Sequence, residues 1–511
     1  MQKTNITSKR AIFGFITDFG GQILVMSVNL VTIPLILKFT STSLYGFWIT
    51  TSSIIGFLAL TDFGIGMPLT RSIAKIADND KSIQLNQLIS TGFLLLCCIS
   101  ILFLIVGISL SFYLAKWFNI PITDQIHILP AYYVAVLSSA ISLPLGVFSN
   151  ILNGFQKMAI DNVVRNALTV ICILISLILL YNGFGLLAIA LSNFLLVVLN
   201  STINYIYAKK YFSNLKIRFS NFSKTELKHL LNFGGLFQIG RIANTIALSA
   251  DSIVIAGVLG ASYVTSYSIT SKLPNLFSIN IASKLPNAVF PAISKMFSEG
   301  NLMKLQKVFI KLTSFSVRLA LMAATFVFLV NKYFITIWVG INNYGGTTLN
   351  LIFVYWILQD TIYRSTTAII FASGNLKKWT IASIAEALFN ISFSILLAKN
   401  IGIIGVALGT AISKTLTTGI FTPYFICQEL KMSFMSFIKF GILRPLFFSI
   451  PGIILAYFFS NLISKDLGWI WIALVGISIF IFNIIFFEVI IILKSSKLTM
   501  KERFNRIITI E

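Results

Sequence analysis

Six basic and three acidic side chains stand inside apolar stretches between residues 231 and 427 of this sequence. The bases are Arg241, Lys272, Lys284, Arg318, Arg364 and Lys414, and the acids are Asp251, Asp360 and Glu386. A charge deep in a membrane span costs roughly 2.5–3.5 kcal/mol and faces a partner or a cavity. Two kinds of chemistry are open to such a set: surplus bases can hold an anion, and acids can carry a cation. Pairing every deep acid with a base leaves three of the six bases over, and that surplus asks for an anion. Arg318 lies about ten residues into its apolar run, roughly 15 Å at helical rise, and shares a helical face with Lys311. Arg241 is about as deep and has no acid within a turn.

Structural explanations compete at several positions. Asp360 and Arg364 stand four apart on one helical face, which suits a structural ion pair as well as a ligand site. Glu386 could neutralise Lys414 or Arg364 from a neighbouring helix. Lys284 sits near Pro286 and Pro291, where a kink is expected, and could snorkel to the headgroups. In the first half, Asp62, the Gly64–Gly66 pair and Pro68 interrupt a hydrophobic run, and Arg71 and Lys75 follow. These residues read as a broken helix end anchored at anionic headgroups, with a possible gating role for Gly64, Gly66, Pro68 and Arg71. Asp62 alone could pair with Arg71 or cap a turn. The cysteines Cys97, Cys98, Cys172 and Cys427 have no metal-ligand spacing and read as small apolar side chains.

The elements that must position these residues follow from composition. Of 511 residues, 57% are hydrophobic and 11% charged, and the mean hydropathy is +0.89. A soluble domain carries about 25% charged residues, so the chain is expected to be an all-α polytopic membrane protein. At about 20 apolar residues per crossing, fourteen spans are expected: 13–37, 46–69, 87–115, 127–150, 162–181, 184–207, 231–258, 263–292, 308–330, 348–372, 379–398, 402–426, 438–460 and 468–493. The first run is too long and too polar-dotted for a cleaved signal.

With the N-terminus in the cytoplasm, inner segments hold 25 of the 39 Lys and Arg and outer connections hold five. The positive-inside rule then places both termini in the cytoplasm. The net charge of +23 needs no nucleic acid partner. Matches at offsets of about 214 to 220 residues pair Phe19-Gly20-Gly21 with Phe233-Gly234-Gly235, Ile73-Ala74-Lys75 with Ile293-Ser294-Lys295, and Gly185 with Gly402. They indicate a parallel repeat, of a kind found in transporters that rock between inward and outward openings. The expected domains are a six-helix lobe over 1–208, a cytoplasmic linker over 209–230, a second six-helix lobe over 231–427, and two further helices with a basic tail over 428–511.

The segments LTDFGIGMPLTRSIAK (60–75), NILNGFQKMAIDN (150–162), ADSIVIAGVLGASYVTSYSITSKL (250–273) and VFPAISKMF (289–297) resemble the polysaccharide-export branch of the multidrug/oligosaccharidyl-lipid/polysaccharide flippase superfamily. The likeness is greatest to O-antigen and capsule repeat-unit translocases of the Wzx type. That resemblance implies a flippase, not an enzyme, that carries an undecaprenyl-pyrophosphate-linked oligosaccharide from the cytoplasmic to the outer leaflet of the bacterial inner membrane. It implies as partners the glycan substrate, the bilayer, and a polysaccharide polymerase with its chain-length regulator. The six bases would bind pyrophosphate or acidic sugar. No cofactor is expected. No Walker-type glycine loop occurs, so alternating access would be driven by protons or sodium, with Asp62, Asp251, Asp360 and Glu386 as coupling candidates.

Three rivals stand beside this reading. A drug exporter of the same superfamily would need surplus acid for organic cations, and a lipid-linked peptidoglycan precursor flippase would share the cationic cavity. A membrane-embedded glycosyltransferase or polymerase would need a large outer loop or a nucleotide-sugar domain, and the sequence has neither. Asp78-Asn79-Asp80 fits a DxD pattern but reads as a solvated turn.

Overall fold

The computed structural model describes residues 17, 20–21, 24–25, 27–59, 65–77, 82–118, 120–232, 235–281 and 284–494. Among these residues the regular structure is helical and no strand occurs. In chain order the helices are α1 Ser27–Phe39, α2 Thr42–Ala59, α3 Gly66–Ala77, α4 Ser82–Trp117, α5 Ile122–Gly154, α6 Met158–Tyr181, α7 Leu186–Tyr211, α8 Lys224–Asn232, α9 Gly235–Val258 and α10 Ala261–Thr270. There follow α11 Lys272–Asn275, α12 Lys284–Ser298, α13 Leu302–Val339, α14 Thr347–Ser373, α15 Leu376–Ile401, α16 Ile403–Lys414, α17 Phe421–Glu429, α18 Phe434–Phe437, α19 Arg444–Leu462 and α20 Trp469–Lys494. Nine helical stretches among the described residues are long and apolar enough to cross a bilayer, and shorter apolar helices accompany them. The chain is a multi-pass all-α membrane protein.

Contacts divide the chain into two compact units, residues 1–265 and 266–511. In the first, α5 packs against α2, α3, α4 and α7. Its core holds Ile65 and, from α3, Leu69 and Ile73, with Leu85, Leu88 and Ile89 of α4 and Val147 and Ile151 of α5. The pattern on α3 is amphipathic: Leu69 and Ile73 are buried while Arg71 and Lys75 are exposed. Pro68 sits in its first turn, where a missing N–H costs no helical bond. In the second unit, α13 packs on α14, α19 and α20, and α15 pairs with α16.

Several expected spans are interrupted. In the run 46–69 the described residues belong to α2, up to Ala59, and to α3, from Gly66. The run 263–292 comprises α10, α11, a π-helical segment Leu276–Ile281 and α12. Pro274 lacks the N–H that a continuous helix would bond to Thr270, and the chain turns at Ser271. Further π segments fall at Thr415–Gly419, between α16 and α17, and at Ile438–Leu443, before α19. A one-residue widening of this kind re-aims side chains and recurs at functional sites.

The α6–α7 and α15–α16 hairpins turn on glycines in the same unusual conformation. Gly185 has φ 53°, ψ −134° and Gly402 has φ 64°, ψ −144°. Only glycine adopts such a conformation without strain, and the two positions are a pair in the repeat expected from the sequence.

Candidate functional site

The densest polar constellation among the described residues is built around Asp360, in the middle of α14. Its Oδ1 accepts from Lys414 Nζ at 2.6 Å, and its Oδ2 accepts from Arg364 Nε and from Ser278 Oγ, each at 2.6 Å. Asp360 and Lys414 are each 1% exposed. Glu386 of α15 is also buried; it accepts a hydrogen bond from the Thr418 hydroxyl and lies within electrostatic reach of Lys414. The Lys414 ammonium stands 4.8 Å from the centroid of the Tyr363 ring, and Trp379 Nε1 donates to the Tyr363 hydroxyl at 3.1 Å. Two carboxylates and two cations share one dry neighbourhood. Such charges persist at low dielectric only when each is paired and hydrogen-bonded.

Local sequence explains how the parts meet. Asp360 and Arg364 are one helical turn apart on α14, so their pairing is built into the helix. Lys414 closes α16 immediately before the π segment Thr415–Gly419, and Ser278 lies on the π segment Leu276–Ile281. Thus two of the three donors to Asp360 stand on or beside a widened turn. The approach of α15 to α16 rests on small residues four apart: a Cβ on Gly405 would fall 2.2 Å from the Leu397 carbonyl oxygen, and one on Gly409 2.6 Å from Ser394 N. A seam of this kind lets helices pack close in lipid, and it brings Glu386 and Lys414 together.

Arg364 differs from its neighbours in exposure. Its side chain is 23% accessible, and it holds Asp360 through Nε alone. Among the described residues its two terminal amino groups donate to no other side chain, so most of the guanidinium fork is available on a base anchored at one edge. Beside the cluster, α14 and α16 enclose an apolar groove of about 450 Å³ lined by Leu351, Ile352, Tyr355, Leu408, Ile412 and Leu416. At its polar edge, Thr415 Oγ1 meets Tyr355 Oη at 2.9 Å and accepts from Gln359 Nε2 at 2.7 Å.

The structure therefore brings together Asp360, Glu386, Arg364 and Lys414 of the candidates expected from sequence, and commits both bases to Asp360. The others lie elsewhere. Arg318, half-buried on α13, donates to Ser314 Oγ at 3.3 Å and feels the charge of Arg444. Lys272 is half-buried at the start of α11. Arg241, half-buried, and Asp251, buried, are both on α9 in the first unit. Lys284 opens α12, but its side chain lies outside what is described. Asp62 and Gly64 lie outside the described residues, as do Asp78, Asn79 and Asp80. Gly66, Pro68 and Arg71 all belong to α3.

Sequence reasoning missed Ser278, Thr418, Tyr363 and Trp379, because uncharged side chains inside apolar runs do not stand out as the deep charges do. It also missed a buried carboxylate in the first unit, Asp161, which accepts from Ser149 Oγ and Asn204 Nδ2, each at 2.6 Å. The signal available was Asp161 in the first turn of a span, where a helix N-terminus favours an acid.

The chain is similar to known membrane proteins. The profile of a family described as polysaccharide biosynthesis protein matches residues 14–297. The uncharacterized membrane protein EpsK of Bacillus subtilis (strain 168) is 22% identical over 81% of this chain and 82% of its own. A Yersinia pseudotuberculosis protein assigned by its name to O-antigen export is 21% identical over 80% of this chain and 93% of its own. Among solved structures, the lipid II flippase MurJ in an inward closed conformation aligns with a TM-score of 0.70. That alignment is 16% identical and covers 94% of this chain and all of MurJ, which establishes a shared fold.

Proposed function

Because the chain belongs to the polysaccharide biosynthesis protein family, we propose that it is a flippase for lipid-linked oligosaccharide in surface polysaccharide assembly. The substrate is an undecaprenyl-pyrophosphate-linked repeat unit, moved from the cytoplasmic to the outer leaflet of the bacterial inner membrane by alternating access. The observation that carries this reading is Arg364, locked to Asp360 through Nε, with no other side-chain hydrogen bond from its fork among the described residues. A planar guanidinium held at one edge is suited to a phosphate or uronate oxygen pair at the other. The apolar groove between α14 and α16 suits an isoprenoid chain. Arg318 and Lys272 in the second unit, and separately Arg241 in the first, supply further positive charge for an anionic substrate.

The same cluster gives a route to ion coupling. With Asp360, Glu386, Arg364 and Lys414 all ionised, the charges cancel and an anion gains little by approaching. Protonating Asp360, or screening it with sodium, leaves net positive charge and frees Arg364 and Lys414 for the substrate phosphates, while protonating Glu386 adds net positive charge without breaking those pairs. Loss of the cation restores the internal pairs and expels the anion. Asp251 and Asp62 are secondary candidates for the same role. The test is transport of a fluorescent polyprenyl-pyrophosphate glycan into sealed proteoliposomes under an imposed proton or sodium gradient. Gradient-stimulated flipping that Asp360→Asn abolishes supports the reading. Flipping indifferent to both gradients and to Asp360→Asn removes it.

A further inference from the structure

The segment joining α7 to α9 is built as a strap. From Leu215 to Arg218 it alternates like a strand: Leu215 and Ile217 pack inward against the α3–α5 core, while Lys216 and Arg218 are exposed. Side chains of α4 act as its ladder. Asn86 Nδ2 donates to Asn214 O and Asn86 Oδ1 accepts from Lys216 N, both at 2.8 Å, reproducing the paired bonds of a β-rung. Ser90 Oγ donates to Lys216 O and accepts from Arg218 N, each at 3.3 Å. Thr91 Oγ1 accepts from Ser223 N at 3.0 Å, and Leu230 of α8 is buried in the same core. Backbone groups of Asn214, Lys216, Arg218 and Ser223 are thus met by side chains of α4, which fixes the direction of the segment.

What the strap turns outward is uniform in sign. Lys209, Lys210, Lys216, Arg218, Lys224 and Lys228 are all exposed. The one acid over 209–232, Glu226, is half-buried and accepts from Gln84 Nε2 at 3.4 Å. Among these cations stands Phe219, 83% exposed, with Phe222 at 43%. Because the strap joins the ends of two spans, it lies at a bilayer surface. Each Lys or Arg near an anionic surface strengthens adsorption about fivefold, and an aromatic ring beside such charges can bury itself at the acyl boundary.

We infer that this clamped strap is a docking surface for the anionic phospholipid of its own leaflet, with Phe219 inserted and the cations on headgroup phosphates. It holds the α7–α9 connection against the membrane. The inference is independent of which substrate the protein carries.

The test uses the full chain with Cys97, Cys98, Cys172 and Cys427 replaced and an environment-sensitive fluorophore attached through Phe219→Cys. In phosphatidylcholine vesicles containing phosphatidylglycerol, a headgroup-level nitroxide lipid quenches the probe and iodide does not. Phosphatidylcholine alone reverses the ranking. Charge reversal by Lys216→Glu with Arg218→Glu abolishes the phosphatidylglycerol effect, while amide exchange at residues 216 and 218 stays slow, as the outward side chains take no part in the clamp. Asn86→Ala, which keeps every charge, weakens lipid quenching by loosening the strap. Equal iodide access in both vesicle types overturns the inference, and so does unchanged quenching in Asn86→Ala.

Discussion

Replacing Lys414 by Met removes one of two cations from a carboxylate buried in α14. At 2.6 Å and an effective dielectric of about 20, the lost attraction is about 6 kcal/mol before desolvation is counted. Breaking a buried ion pair costs about 3–5 kcal/mol in practice, because the stranded partner keeps its desolvation penalty. Asp360 retains Arg364 and Ser278 at the same distance, which puts the expectation near the lower end, about 3 kcal/mol. On the scale for domains of 150–250 residues this lowers Tm by roughly 6–12 °C. Thermal melts of purified protein in detergent, read by size-exclusion fluorescence, measure it. The double variant Asp360→Asn with Lys414→Met removes both charges and recovers part of the loss, because contacting charges are not additive. A Lys414→Met melt equal to the native one, or strictly additive variants, would refute the cluster as a coupled unit.

Three further outcomes follow from the geometry. Arg318→Ala or Arg241→Ala lowers surface polysaccharide about 10- to 100-fold, the equivalent of one charge-assisted contact, while immunoblots find the protein at its normal level in the membrane. Thr418→Val takes the hydroxyl from buried Glu386 and costs about 1–3 kcal/mol; Thr418→Ser restores the melt. Gly405→Ala must push α16 off the Leu397 carbonyl and costs about 1–3 kcal/mol, whereas Gly56→Ala, with nothing within 4 Å of its added Cβ, gains about 0.5–1 kcal/mol from helix propensity.

Long apolar runs and clustered loop cations announce membrane crossings, because both answer to the solvent rather than to partners elsewhere in the chain. The placement of α5, α6, α7 and α15 is accordingly close to what hydropathy implies. Interruptions are harder to read. Residues 60–68 carry visible aspartate, glycine and proline, but the π segment Thr415–Gly419 has a single hint, Gly419, where a Cβ would meet the Lys414 carbonyl oxygen at 2.8 Å. The same contrast divides the cluster. Asp360 and Arg364 are one turn apart and can be paired on paper. Lys414 and Ser278 meet Asp360 across 54 and 82 residues, a matter of tertiary packing. Counting deep charges alone makes Arg364 and Lys414 equivalent; burial separates them, one sealed under Tyr363 and the other partly open.

The central claim, that Arg364 presents an anchored fork to an anionic lipid-linked glycan, is tested most directly by binding. Native mass spectrometry of purified protein with a polyprenyl-pyrophosphate glycan, and with the same glycan on an uncharged polyprenyl lipid, separates charge recognition from lipid adhesion. The account predicts that the pyrophosphate form binds at least about tenfold tighter, the factor expected of a charge-assisted contact, and that Arg364→Ala erases the preference while leaving the uncharged form unaffected. Equal affinity for the two lipids in the native protein, or an undiminished preference in Arg364→Ala, would contradict it.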